Sequence, residues 1–133
     1  MKEVIVLDEL SVPMQGYLET VYECSEGELG ARVSDIAARL NVSKASVSDA
    51  MTVLARHGMV ESSPYSRIHL TDQGLRLAEM ISLRHNAIEN LFTKVLGVRP
   101  SVAYADACAI EHIISQESVE KISSYLKQLG LDK

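Results

Sequence analysis

Ala31-Arg-Val-Ser-Asp-Ile-Ala-Ala-Arg-Leu40, then Asn41-Val42, then Ser43-Lys-Ala-Ser-Val-Ser-Asp-Ala-Met-Thr-Val-Leu-Ala-Arg-His57-Gly58 is the stretch that decides the fold. Ile36, Ala37 and Leu40 recur at helical spacing, and Ser34 is placed to cap that helix. Asn41-Val42 makes a tight turn. Ser43 caps a second helix, from Lys44 to about His57, with Val47, Met51, Leu54 and Ala55 inward and Gly58 as its stop. A short helix, a turn and a second helix with a polar start read as helix-turn-helix. Ser43, Lys44, Ser46 and Ser48 stand exposed at that start, with Asp49 beside them. Small hydroxyls and one ammonium suit phosphate and base-edge contacts in a major groove.

Downstream, Met59-Val-Glu-Ser-Ser-Pro-Tyr-Ser-Arg-Ile-His-Leu70 gives two short extended pieces around a Ser-Ser-Pro-Tyr-Ser tip, a hairpin pattern. A hairpin directly after a recognition helix is a wing, with Tyr65 and Arg67 near its tip, suited to backbone or minor-groove contacts. The plainer alternative for residues 34–70 is a compact helical core with an ordinary hairpin. The order helix, turn, helix, glycine, hairpin favours the winged reader. Upstream, Pro13 fits a first helical turn, and Met14, Tyr17, Leu18, Val21 and Tyr22 form a stripe with Glu19 at its edge. Val4–Leu7 is a tail or a short strand.

Thr71 caps a long helix from about Asp72 to Leu96, ended by Gly97, with apolar residues on more than one face. His85 and Glu89 lie on it at i, i+4, a spacing that suits a metal and equally an ordinary solvated pair. Pro100-Ser101 opens the next helix. It carries Cys108, Glu111 and His112 at i, i+3 and i+4, so thiol, carboxylate and imidazole share one face and suit a divalent transition metal. Ala105, Ala109, Ile110, Ile113 and Ile114 predict that this helix is largely buried. The plainer reading is a small buried cysteine beside a surface Glu-His pair. Ser118 starts a last helix with Val119, Ile122, Tyr125, Leu126 and Leu129 inward. The apolar load from residue 75 onward exceeds what one short bundle hides, and self-association would cover the surplus.

The 133 residues carry a net charge of -5, no Trp, one Phe and two Cys. The core is therefore aliphatic, which suits helices, and two cysteines make no disulfide framework. No apolar run reaches membrane-spanning length and no signal peptide opens the chain, which points to the cytoplasm. Residues 1–30 sum to -6, residues 31–70 to +2 and the rest to -1. The middle segment is the least repelled by a phosphate backbone, and the acidic opening suits a bound cation.

Together these parts resemble, from about Val12 to Leu129, the diphtheria toxin repressor family of metal-dependent transcription regulators, which includes manganese transport regulators. The resemblance is carried by Tyr17-Leu-Glu-Thr-Val-Tyr22, Arg32-Val-Ser-Asp-Ile-Ala37, Val42-Ser-Lys-Ala-Ser-Val-Ser48, Gly58-Met-Val60, Leu70-Thr-x-x-Gly74, Arg84-His85 and Cys108-x-x-Glu111-His112. It implies a mainly α fold, with a winged helix-turn-helix DNA-binding domain over residues 1–72. An all-helical dimerisation and metal-binding domain follows over residues 73–133, as in the short members without a third domain. It further implies a homodimer that binds a palindromic operator in double-stranded DNA when loaded with Fe(II) or Mn(II), repressing metal-homeostasis genes. Co(II), Ni(II) or Zn(II) would substitute in vitro.

By position, the resemblance places Cys108, Glu111 and His112 in a metal-ligand cluster, with Cys108 as in the iron-responsive branch. His85 falls on a ligand position, Glu89 on an ancillary ligand of the iron branch, and Glu19 on a first-helix carboxylate of the manganese branch. Gly16 departs from the pattern, which has Met or Asp there. On this reading, Glu19, Glu89 and Glu111 repel one another without metal, and a cation neutralises them and ties the helices together. The two recognition helices then stand about 34 Å apart or a multiple of it.

Two rivals remain at this stage. A metal-independent winged-helix regulator would sense oxidants, through Cys108 or Cys24, or a small ligand. A small metal-dependent hydrolase would use the same His, Glu and Cys set with an open position. Against the enzyme, the sequence has no His-Glu-x-x-His helix and no glycine-rich phosphate loop.

Overall fold

The computed structural model describes residues 10–63 and 67–132. The apolar run at residues 4–7 and the wing-tip Tyr65 lie outside the described residues. The chain divides into two compact units, Met1–Glu79 and Met80–Lys133.

In the first unit, Ser11 caps α1 (Val12–Cys24), accepting from the Met14 N–H, and Pro13 sits in the first turn. The helix buries Leu18 and Val21, together with Gln15, whose amide donates to the Leu10 carbonyl at 3.0 Å. A short turn follows and closes at Gly30, with φ of 75°. A Cβ there would sit 2.5 Å from the Ile68 carbonyl oxygen, so this crossing admits only glycine.

Next comes a strand the sequence pattern did not announce. β1 (Ala31–Arg32) pairs antiparallel with β3 (Arg67–Leu70), which pairs in turn with β2 (Val60–Ser63). The sheet order is β1-β3-β2. Because β1 runs straight into α2 (Val33–Leu40), Arg32 takes the cap position in extended conformation, and Ser34 lies inside the first turn rather than capping it. Asn41 turns the chain in the left-handed region at φ 56°, a conformation asparagine tolerates. Ser43 caps α3 (Lys44–Arg56) as expected, its oxygen accepting from the Ser46 N–H at 3.0 Å. The buried stripe of α3 is Val47, Ala50, Met51 and Leu54. Ala55, expected inside, falls one step off that stripe and is exposed. The unit is thus a winged helix-turn-helix.

Thr71 joins the wing to α4 (Asp72–Asn90). Its N–H donates to the Met59 carbonyl, and its hydroxyl accepts from the Gly74 N–H at 3.0 Å. A Cβ on Gly74 would meet the Met59 carbonyl oxygen at 2.0 Å, which accounts for the Leu70-Thr-x-x-Gly74 spacing.

In the second unit α4 does not run on to Leu96. It ends at Asn90 and passes into a wider π-helical turn, Leu91–Val95, before Gly97 at φ 72°. α5 (Pro100–Ile110) buries Ala103 and Ala107, and Glu111 continues that line at the same four-residue step. Ala105 and Ala109, expected inside, are exposed, and Ile113 is 77% exposed. The inward face of α5 is therefore lined by small alanines and ends in a carboxylate, while Val102 and Ile110 are half-buried. Glu111 is the C-cap of α5 and His112 lies in the turn beyond it, so the cluster straddles a helix end instead of lying along one face. α6 (Gln116–Gln128) begins earlier than expected, capped by Ser115, which accepts from the Ser118 N–H at 3.1 Å. It buries Val119 and Leu126, while Tyr125 and Leu129 are about half exposed. Among the described residues, no helix is long and apolar enough to cross a membrane.

Candidate metal centre and nucleic-acid interface

The second unit brings together five of the six residues singled out as ligands. His85, from the middle of α4, is the hub. Its Nδ1 lies 2.7 Å from Glu111 Oε1 and its Nε2 lies 3.0 Å from Glu89 Oε1. The other Glu111 oxygen, Oε2, is 3.2 Å from His112 Nε2. Cys108 Sγ is 4.0 Å from His85 Nδ1. Glu111 is fully buried, His85 and His112 nearly so, and the Glu89 side chain is 30% exposed. Tyr104, one helical turn before Cys108, packs its ring edge-to-face on His85 with centroids 5.0 Å apart.

This arrangement calls for a positive charge at its centre. A neutral imidazole donates through one nitrogen only. With a carboxylate at each nitrogen of His85, one contact sets lone pair against lone pair unless an extra proton or a cation lies between. Two imidazoles, two carboxylates and a thiol, with neighbouring donor atoms 2.7–4.0 Å apart, are the nitrogen, oxygen and sulfur donors that divalent transition metals take. The donor set fits such an ion.

Beside the cluster, Arg84 is 6% exposed. It donates through one terminal nitrogen to the Ile114 carbonyl and through the other to Gln116 Oε1 at 3.2 Å. Burial pushes its guanidinium down from the ordinary value. Arg84 falls within the Arg84-His85 motif, which by itself assigns it no role; its buried contacts show only in three dimensions. Tyr104 was missed likewise, although its place four residues before Cys108 puts it on the same helical face.

Glu19 belongs to the first unit, half-buried on α1. A Cβ at Gly16, one turn earlier, would meet nothing within 4 Å, so open space stands where the resemblance expects a donor side chain.

On the first unit, Ser43, Lys44, Ser46 and Ser48 are all exposed at the start of α3, with Asp49 and Thr52 beside them. Ser43 already caps the helix and shares a 3.0 Å hydrogen bond with the Ser46 hydroxyl. Arg67 is less free than its place in the wing suggested. It pairs with Glu26 at 3.1 Å, its side chain is 19% exposed, and it also donates to the Gly30 carbonyl. A cavity of about 570 Å³ between α3 and the sheet is lined by Thr52, Arg56 and Arg67 among others.

Comparison with known proteins agrees with both halves. Residues 9–68 match the model of the iron dependent repressor N-terminal DNA binding domain, and residues 71–132 match that of the iron dependent repressor metal binding and dimerisation domain. The transcriptional regulator MntR of Escherichia coli O157:H7 is 35% identical over 114 residues, 86% of this chain and 73% of that protein. The chain belongs to the iron-dependent repressor family.

MntR of Salmonella typhimurium is 39% identical over 100 residues, 75% of this chain. A solved manganese-dependent transcriptional repressor in complex with manganese superposes with a TM-score of 0.72 at 27% identity, covering 86% of this chain. The matched region spans 63% of the Salmonella protein and 52% of the solved chain.

Proposed function

We propose that this chain is a divalent-metal-dependent DNA-binding repressor of metal-homeostasis genes, acting as a homodimer on a palindromic operator. Residues 1–72 would read DNA and residues 73–133 would dimerise and bind metal. One observation carries the reading. A buried cluster of His85, Glu89, Cys108, Glu111 and His112 lies in the same chain as a winged helix-turn-helix.

His85, Cys108, Glu111 and His112 would hold the ion, with Glu89 on the far nitrogen of His85. Glu19 would join this set, as the family resemblance implies. The ion would be Fe(II) or Mn(II): the carboxylates favour the harder ion, the thiol the softer. Bound metal supplies positive charge where two carboxylates otherwise crowd one imidazole. By offsetting that negative charge, the bound ion would favour a DNA-binding form over others. The exposed Ser43, Lys44, Ser46 and Ser48 would contact phosphates and base edges, with Arg67 and the wing-tip Tyr65 on the flanking backbone.

The test is binding of the purified protein to its own upstream DNA, with Fe(II) under anaerobic conditions, with Mn(II), and in chelator. Metal is expected to tighten binding at least about tenfold, a coupling of about 1.4 kcal/mol. Equal affinity in chelator would remove the metal switch.

A further inference from the structure

Glu111 closes the last turn of α5, its N–H donating to the Ala107 carbonyl, and His112 lies just past it, in a turn held by the Ile113 and Ile114 N–H groups on the Ile110 carbonyl. Their placement rests on the link from Glu111 to Ser115, which caps α6. Arg84 reaches from α4 into this link. It donates to the Ile114 carbonyl and to Gln116 Oε1, 30 and 32 residues away in sequence. The next residue on α4 is His85, which touches Glu111. One turn of α4 thus carries both the hub imidazole and a clamp on the loop opposite it.

From this geometry we infer that Arg84 is a positioning residue for the metal centre, holding the 111–116 link so that Glu111 and His112 reach His85. This deepens the metal-binding reading above and rests on it.

The chemistry suits that task better than packing alone. A buried guanidinium is expensive. No described carboxylate pairs with Arg84, and its Nε has no hydrogen-bond partner. A methionine would fill similar space without that cost. What arginine adds is a planar fork that satisfies two acceptors at a fixed spacing, here a backbone carbonyl and an amide oxygen. Lysine offers a single flexible point charge and does not reproduce it.

The sign of one effect separates this role from a purely electrostatic one. A buried cation near a metal centre repels the ion, so removing only its charge should tighten metal binding. Removing a clamp should weaken it. Arg84→Met, Arg84→Lys and Gln116→Leu would be titrated with Mn(II), and separately with Co(II), by calorimetry. Hydrogen exchange of residues 111–116 and helix content in chelator would be followed in parallel. Arg84→Met is expected to raise the Kd about tenfold or more, as loss of a group supporting the ligands does. Exchange in the link should quicken while helix content holds. Arg84→Lys should fail to restore affinity, and Gln116→Leu should weaken binding by about threefold. Unchanged or tighter binding in Arg84→Met overturns the inference, as does full rescue by lysine. If Arg84→Met does not fold, Arg84→Lys and Gln116→Leu decide it, and wild-type affinity in both overturns it. Wild-type protein that takes neither ion would bring down the metal-binding reading and this inference together. Wild-type binding with indifferent variants would bring down this inference alone.

Discussion

Glu111 Oε1 lies 2.7 Å from His85 Nδ1, joining the C-terminal end of α5 to the middle of α4, and the same carboxylate turns its second oxygen to His112. Glu111 is 1% exposed, so its two oxygens are shielded from water and lean on partners such as these imidazoles. Glu111→Gln keeps the shape and loses the charge. It is expected to weaken Mn(II) binding by about tenfold or more, with stability in chelator little changed. Glu111→Leu removes the carboxylate that both buried imidazoles contact and should also cost about 1–3 kcal/mol of stability. Metal titration and thermal unfolding in chelator would separate the two effects. Wild-type metal affinity in Glu111→Gln would remove this carboxylate from the site.

Cys108 places a thiol 4.0 Å from His85 Nδ1. Thiolate favours softer ions, and a carboxylate there would favour harder ones. Cys108→Glu is therefore expected to shift the ratio of Co(II) to Mn(II) affinity toward Mn(II) by about tenfold. Competition titrations read that ratio directly. An unchanged ratio would mean the thiol does not touch the ion.

The helix-turn-helix was legible because its signals are local. Ser43, the left-handed Asn41 and the apolar steps of α3 all act within a few residues. The errors have one cause as well. Ser34 lost its cap role because β1 pairs with a strand more than 30 residues away, which periodicity does not register. Ala105, Ala109 and Ile113 were expected inside by hydrophobicity, whereas Glu111 takes the buried place. The ligand residue types could be read from spacing within α4 and within the Cys108–His112 segment. That His85 meets Glu111 could not, because the contact joins two helices across a π-helical turn that no pattern announced.

Gly74 tests the junction between wing and α4. A Cβ at this position would overlap the Met59 carbonyl, a backbone group with little freedom to retreat. Gly74→Ala should therefore cost about 2 kcal/mol, against the usual gain from alanine in a helix. The readout is a fall of several degrees in Tm. A rise in Tm would show that α4 starts further from Met59 than the structure places it.

Cys24 gives a pH dependence. Burial raises its thiol pKa above the ordinary 9.0, outweighing the nearby Arg39, which lowers it. A pKa higher in the folded state means that folding favours the protonated thiol. The contribution is intact below the unfolded pKa and is lost as pH rises through the folded one. Wild type and Cys24→Ala should therefore differ by a constant amount at neutral pH. Above about pH 9 wild type should lose stability faster. Denaturant unfolding from pH 7 to 10 checks this, and parallel curves throughout would contradict it.

Lys44 is the cation at the exposed start of α3, flanked by the hydroxyls of Ser43 and Ser46. If it meets a phosphate, its loss should act on every sequence alike. Lys44→Ala is then expected to weaken operator and nonspecific DNA by similar factors, and to reduce the slope of log affinity against log salt by about one per protomer. Ser48→Ala lies deeper on the same face and removes a hydroxyl that can reach a base edge. It should leave the salt slope unchanged and relax discrimination at one operator position by about 1 kcal/mol or more. Salt titrations on operator and scrambled duplexes, with metal held saturating, measure both quantities. If Lys44→Ala changed specificity and Ser48→Ala changed the salt slope, the orientation of α3 in the groove would be the reverse of the one proposed.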